Sequence, residues 1–163
     1  MIGNDVVDII KSRKESNWQR KGFLNKIFTP EEQQFIAIYP DPEIMVWILW
    51  SMKEAAYKIY NRQTAIRSFN PKQLVCSINN KHYGTVMCYN LIFYTTTSVK
   101  DNCIYTVAST SKKNLKNVYE IYDPLIFKDD NGLPYVLNNK GKIQPVSVSH
   151  HGKYYKIAAV IIG

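Results

Sequence analysis

Two short stretches set acidic and basic side chains at spacings that could handle a metal ion and an anion. The first is Gly3-Asn4-Asp5-Val6-Val7-Asp8-Ile9, which puts a carboxylate just after a glycine turn and at the head of a β-branched apolar run. The second is Trp50-Ser51-Met52-Lys53-Glu54-Ala55-Ala56-Tyr57-Lys58, in which Glu54 lies between two lysines at the end of a very apolar helical stretch. A carboxylate on a strand facing one on a helix, with lysines beside them, suits a hard divalent cation that carries a phosphate-bearing substrate.

Each residue also has a plainer reading. Asp5 fits an Asx-turn ahead of a strand. Glu54 and Lys58, four apart with the acid first, fit a surface ion pair worth about 0.3–0.5 kcal/mol. The apolar helix upstream argues instead that Glu54 lies close to the core. Lys53 points about 100° away from Glu54 and is free to serve another part of a long anionic ligand. Asp8, three residues after Asp5, falls on the opposite strand face and is a poor partner for a shared metal. Near the C-terminus, Ser149 and His150 sit between two expected strands. A loop histidine is the default there, yet Ser, His and backbone amides at a strand end are reasonable phosphate donors. His150 and His151 are adjacent on a strand, point to opposite faces and do not make a metal pair.

The elements that must carry these residues are legible in outline. Val6 to Ile10 reads as a short strand. Thr29-Pro30-Glu31-Glu32 starts a helix, with Thr29 as N-cap, Pro30 at the first position and Glu32 closing a capping box; Pro40 and Pro42 end it near Tyr39. A second helix, from about Glu43 to Asn61, is apolar almost all round at first and therefore central. Strands follow at Leu74 to Ile78, Thr85 to Thr97 and Cys103 to Ala108, then a short helix within Ser111 to Tyr122. A turn at Asp129-Asp130-Asn131-Gly132 precedes strands at Pro134 to Leu137, Pro145 to Ser149 and Tyr154 to Ile162. Helices early and strands later indicate an α+β fold, a long central helix packed on a largely antiparallel sheet.

At 163 residues and 45% hydrophobic content the chain is read as one domain spanning residues 1–163. No apolar run approaches the ~18 residues of a membrane span, and the first residues lack a secretory pattern. Three widely spaced cysteines give neither a zinc pattern nor a disulfide framework, so reduced thiols in the cytoplasm are expected. The net charge of +8 invites an anionic partner. Lys11, Arg13, Lys14, Arg20 and Lys21 cluster after the first strand, and Lys112, Lys113 and Lys116 form a smaller group.

Taken in order, these stretches resemble the signature of the 4′-phosphopantetheinyl transferases. The family's Gly-x-Asp, Phe-Ser/Thr-x-x-Glu and Trp/Phe-x-x-Lys-Glu-Ala-x-x-Lys stretches read here as Gly3-Asn4-Asp5, Phe28-Thr29-Pro30-Glu31-Glu32 and Trp50 to Lys58. Gly132-Leu133-Pro134, Ser147-Val148-Ser149-His150 and Ala158-Ala159-Val160-Ile161-Ile162 follow, as in the short, holo-acyl-carrier-protein-synthase-like branch. The resemblance implies transfer of 4′-phosphopantetheine from coenzyme A to a serine of an apo carrier protein, releasing 3′,5′-ADP. It implies Mg²⁺ held by Asp5 and Glu54, Lys58 on the pyrophosphate, and Ser149 with His150 at the 3′-phosphate end. Lys53 is carried as a further coenzyme A contact, and Glu54 and Lys58 as the catalytic pair. Glu54 or a metal-bound water would take the serine proton. Glu32 matches the family's Glu and the capping box equally.

An acidic carrier protein would dock on Lys11, Arg13 and Lys14. The Asp-x-Glu of the larger branch is absent, since Asp5 is followed by Val6 and Val7. The strand-rich segment at about 73–122 is extra relative to the shortest members, which leaves homotrimer and monomer both open. Two rival readings remain: a family member that binds coenzyme A without transferring it, and a basic nucleic-acid-binding module. The partner expected here is a protein, with no nucleic acid or membrane.

Overall fold

A computed structural model of the chain describes residues 1–80 and 82–161. Strand β1 (Ile2–Asp8) leads into helices α1 (Ile9–Glu15), α2 (Phe23–Ile27), α3 (Pro30–Ile38) and the long α4 (Pro42–Thr64). Strands β2 (Leu74–Ile78), β3 (Tyr83–Cys88), β4 (Leu91–Lys100) and β5 (Cys103–Ser109) follow, then the single-turn α5 (Lys112–Leu115). The chain continues through β6 (Val118–Glu120), β7 (Phe127–Lys128), β8 (Pro134–Leu137), β9 (Ile143–Pro145), β10 (Ser147–His151) and β11 (Tyr154–Val160). No described helix is long and apolar enough to cross a membrane.

Among the described residues all strand pairing is antiparallel, in three sheets ordered β1-β5-β4-β3-β2, β10-β11-β6 and β7-β8-β9. The α+β expectation is met. The strand-rich stretch 73–122 supplies β2 to β5, and β5 pairs along the whole of β1. Helix α4 lies across the five-stranded sheet. Its Val46, Leu49, Met52, Ala56 and Ile59 join Val7, Leu74, Val86, Phe93 and Ile104 in one buried cluster. Burial on this scale, at about 25 cal/mol per Å² of apolar surface, is the main force holding the helix down.

Strand β1 is covered on both sides. Gly3, Asp5 and Val7 share the α4-facing side by the two-residue period, whereas Ile2 packs with Ala158 and Val160 of β11 on the other. Gly3 is not a turn residue. It sits inside the strand, where a Cβ would fall 2.1 Å from the main-chain oxygen of Ala55. A hydrogen in place of a side chain is what lets helix and strand approach this closely.

Other boundaries shift for local reasons. The strand expected at Val6 to Ile10 stops at Asp8, whose carboxylate accepts the Ile10 and Lys11 amides at 3.1 and 3.2 Å and so starts α1. The single strand expected over Thr85 to Thr97 is a hairpin, turned at Tyr89 with φ +52°. The helix expected within Ser111 to Tyr122 is one turn followed by β6, because Val118 to Glu120 pair with β11. The strand expected over Pro145 to Ser149 is split between β9 and β10. Ile162, the expected end of the last strand, lies outside the described residues. Helix α3 begins with the expected capping box of Thr29 and Glu32.

Replacing Gly3 by Ala should destabilise the protein by at least about 1–3 kcal/mol, the usual cost of overpacking, because the clash is with backbone. Urea denaturation measures this, and an unchanged midpoint would contradict the close approach.

Candidate active site

Three elements meet at one cleft. Gly3 against Ala55 fixes β1 on α4, which carries Asp5 and Glu54 into the same cavity of about 270 Å³. Trp50 and Trp47, one and two turns earlier on α4, line it as well, as do His150 and His151 from β10. Ser51 on α4 donates to the Asp5 carbonyl at 3.4 Å. Across the sheet, Thr106 is the register partner of Asp5 and Thr97 that of Thr106, and their hydroxyls are 2.9 Å apart.

The outer edge of β1 carries no backbone ladder to β10. Side chains replace it. The Asn4 amide donates to Ser147 Oγ and the Asp8 amide to His151 Nδ1, both at 2.9 Å. Lys58 donates its ammonium to the carbonyls of Asn4 and Val148, at 2.6 and 3.0 Å. It thereby ties β1, β10 and α4 together beside Asp5, whose Oδ1 is 4.0 Å from Lys58 Nζ. His151 accepts from Asp8 through Nδ1, so its Nε2 carries the proton towards Glu15, 3.1 Å away.

The electrostatics of the cleft are unusual for surface carboxylates. Burial pushes the Asp5 carboxyl up to about 6, against the pull of Lys58, the Ser51 hydroxyl and the Val6 amide. Burial and the neighbouring Asp5 push Glu54 up to about 7, with Lys58 pulling back. Burial lowers the Lys58 ammonium, while Asp5 and Glu54 raise it and Arg62 lowers it further. Two acids that resist ionisation because they are desolvated and repel one another are a site that gains from a cation. Among the described residues no cluster of three or more His, Cys, Asp or Glu side chains could hold a metal. Two carboxylates fit Mg²⁺ nonetheless, since that ion keeps several waters and takes further oxygens from substrate phosphates.

The expected site residues divide into those brought together and those kept apart. Asp5, Glu54 and His150 share the cavity. Lys58 adjoins it and also lines a second cavity further along α4. Lys53 does not reach a ligand. It is completely buried, and its ammonium is held by Glu32 at 2.8 Å and by the carbonyls of Pro71 and Leu74. Glu32 in turn accepts the amides of Thr29 and Cys76, so both groups of the pair are fully occupied in the interior. Glu32 therefore plays the capping role and pairs with the first lysine of the motif.

Ser149 and His150 also separate. Strand alternation buries Ser149 and exposes His150, so the two do not act on one ligand group from one face. The buried Ser149 Oγ has no hydrogen-bond partner among the described residues. Lys11, Arg13 and Lys14 follow the first strand as expected but stand on a helix, α1, that the sequence reading did not foresee, and Lys11 pairs with Glu15 at 3.3 Å and Arg13 with Glu43 at 2.7 Å. Asp8 faces away from Asp5. The amides of Lys11, Lys153 and Ile10 hold its carboxyl below the usual range despite the opposing effect of burial.

Sequence reasoning missed Arg62 and Trp47. Both extend the three-to-four-residue spacing through Trp50, Glu54 and Lys58, and helical periodicity was the signal for them. It also missed the part His151 plays, for which the sequence carries no signal.

The sequence model of the 4′-phosphopantetheinyl transferase superfamily matches residues 1–108 of the 163, a span that contains β1, all of α4 and the five-stranded sheet. The chain belongs to that superfamily. No curated protein matches it in sequence. Among solved structures, it resembles the holo-[acyl-carrier-protein] synthase of Neisseria meningitidis with a TM-score of 0.55 and 16% identity, over 66% of this chain and 94% of the other. The apo-ACPS structure from Chronobacterium ammoiniagenes gives 0.53 and 12%, over 66% and 93%. The Thermotoga maritima holo-[acyl-carrier-protein] synthase gives 0.53 and 12%, over 98% of this chain and 83% of the other. At these identities the likeness is one of fold; membership of a family of transferases rests on the sequence match.

The raised carboxyls make stability depend on pH. Both bind protons more tightly in the folded protein than in the unfolded chain, whose values lie near 3.8 and 4.5. Their contribution is complete below those values and is lost as pH rises through about 6 and 7. Without metal, Glu54→Gln should therefore raise the Tm relative to wild type at about pH 8 and leave it nearly unchanged at about pH 5. A lower Tm for the variant at the higher pH would refute the assignment.

Proposed function

We propose that this protein transfers 4′-phosphopantetheine from coenzyme A to a serine hydroxyl of an apo carrier protein, with Mg²⁺ and with release of 3′,5′-ADP. The observation that carries the reading is the meeting of Asp5 and Glu54, two desolvated carboxyls of raised pKa, in one cavity beside Lys58. Superfamily membership supports the same reaction class.

In this mechanism Asp5 and Glu54 are the residues that would hold Mg²⁺. The ion would supply neutralisation of charge on the pyrophosphate as the leaving group departs. Lys58 is fixed by two carbonyls, and the remaining hydrogen of its ammonium is available to a phosphate oxygen. A donor already held in place needs no reorganisation as charge develops. The serine oxygen attacks the β-phosphorus, and the bond from that phosphorus to the bridging oxygen of 3′,5′-ADP breaks. Glu54, or a water at the same opening, would take the serine proton. His150, exposed at the cavity wall, adds a donor at the same opening. Trp47 and Trp50 line the same cavity and make part of its wall aromatic.

The carrier docks on α1 in this reading. That helix starts at Asp8, directly after the metal strand, and displays Lys11, Arg13 and Lys14. Lys14 has no ion-pair partner among the described residues, whereas Lys11 and Arg13 are partly neutralised by Glu15 and Glu43. An acidic helix on the partner would be steered by this face, in a salt-dependent way.

Two measurements test the proposal. The intact mass of an apo acyl carrier protein, incubated with this protein, coenzyme A and Mg²⁺, should rise by one phosphopantetheinyl group, and Asp5→Ala should abolish the gain. Coenzyme A binding with no gain across several carriers would point instead to a member of the family that has lost transfer. Separately, Arg13→Glu combined with Lys14→Glu should raise the apparent KM for carrier several-fold and leave that for coenzyme A nearly unchanged. Equal effects on the two substrates would rule out docking on α1.

A further inference from the structure

An antiparallel sheet with one face on the core usually turns polar and charged side chains to water on the other. The five-stranded sheet departs from this. Alternation sends Cys76, Val86 and Phe93 into the cluster under α4, and Val75, Met87 and Ile92 to the opposite side. Those three outward residues stand in one row, Val75 opposite Met87 and Met87 opposite Ile92. The next row is Ser77, Thr85 and Tyr94, and Tyr83 with Thr96 begins a third. None of them is charged. From Tyr83 to Val99 the chain carries no Asp, Glu, Lys, Arg or His, although 21% of the whole is charged. Tyr83 is 48% exposed, Met87 50% and Ile92 52%, so large side chains meet water on neighbouring strands.

We infer that this outer face of β2, β3 and β4 is a self-association surface on which two copies of the chain pair face to face. The edge of the sheet is not available for a partner strand. The Cys76 amide donates to Glu32 at 2.7 Å and the Leu74 carbonyl accepts from Lys53, so internal side chains already take the outward groups of β2. Charge selects the occupant. An acidic protein or an anionic membrane gains nothing from a face without cations. A second copy, itself at +8, is repelled by basic surface and meets least repulsion where the face is neutral. A two-fold axis through the Met87 row also sets like rows on like, which makes the face complementary to itself. Eight positions at sheet spacing cover about 300 Å² of plane, a patch size that is often functional. Two such faces bury less than the ~1,600 Å² of a standard interface, so the pair is weak and reversible.

Pairing here is independent of the reaction proposed above, because it leaves the cleft free. The face lies on the side of the sheet away from α4. Strand β3 stands three strand spacings, about 14 Å, from β1 and Asp5. Helix α5 packs against β4 and β5, so Lys112 and Lys113 stand at the border of the face. In the pair these like charges oppose association, and salt screens them. The dimer therefore tightens as salt rises, the reverse of an interface held by opposite charges.

Sedimentation velocity on the full chain tests this. Between about 1 and 200 µM, wild type should pass from monomer to dimer, and more readily at about 500 mM than at about 50 mM NaCl. Met87→Lys and Ile92→Lys each set like charges against one another across the axis and should weaken the dimer about tenfold or more. Met87→Thr keeps a good strand former and should weaken it less, which preserves the test if a lysine variant does not fold. A wild type that stays monomeric throughout, or a dimer that none of the three variants loosens, would overturn the inference. So would a closed trimer, which a two-fold face cannot build, or a dimer that dissociates as salt is added.

Discussion

The contact between Gly3 and the backbone of Ala55 is the constraint on which the site depends. A strand and a helix seldom approach so closely that the strand residue must lack a side chain, and here the missing Cβ would stand 2.1 Å from a carbonyl oxygen. Asp5 follows Gly3 on the same strand face, and Glu54 precedes Ala55 on the helix. Bringing those backbones together therefore brings the two acids together, in a setting where neither is well solvated. Their raised pKa values are a consequence of this packing.

The lysines of α4 show how one helix divides similar side chains between structure and chemistry. Lys53 turns into the interior, where Glu32 and two carbonyls take up its ammonium. The pair ties the start of α3, the middle of α4 and the entry to β2 into one unit. Removing one partner from such a pair costs about 3–5 kcal/mol, because the other is left charged and unpaired. Lys58 stays at the cleft and stitches β1 to β10, so its charge is both a structural pin and a fixed electrostatic feature of the site. Arg62, a turn later, donates to the Val146 carbonyl, and Asp129 opposes its charge.

Asp8 and His151 connect the cleft to the basic helix α1. Asp8 caps α1 and accepts the Lys153 amide at the β10–β11 turn, where a Cβ on Gly152 would strike its carboxylate. His151 accepts the Asp8 amide and reaches Glu15 at the far end of α1. The basic helix is thus held at both ends by residues that close β1 and β10, and its position is set by the same backbone that positions Asp5.

What was legible in the sequence was whatever depends on neighbours along the chain. The capping box at Thr29 and Glu32, the length of the apolar helix, the strand at Leu74 to Ile78 and the opposed faces of Asp5 and Asp8 follow from local spacing, as does the order of the motifs that mark the family. Where the signal was local but faint, as at the Tyr89 turn inside a long β-branched run, the reading failed. The tertiary structure decided the rest. It decided that Gly3 serves a close approach and not a turn, that Lys53 is interior while Lys58 is not, and that Ser149 is buried while His150 is open. Each of these depends on which face of an element meets its neighbour, and a motif records residue types in order without recording what packs against them.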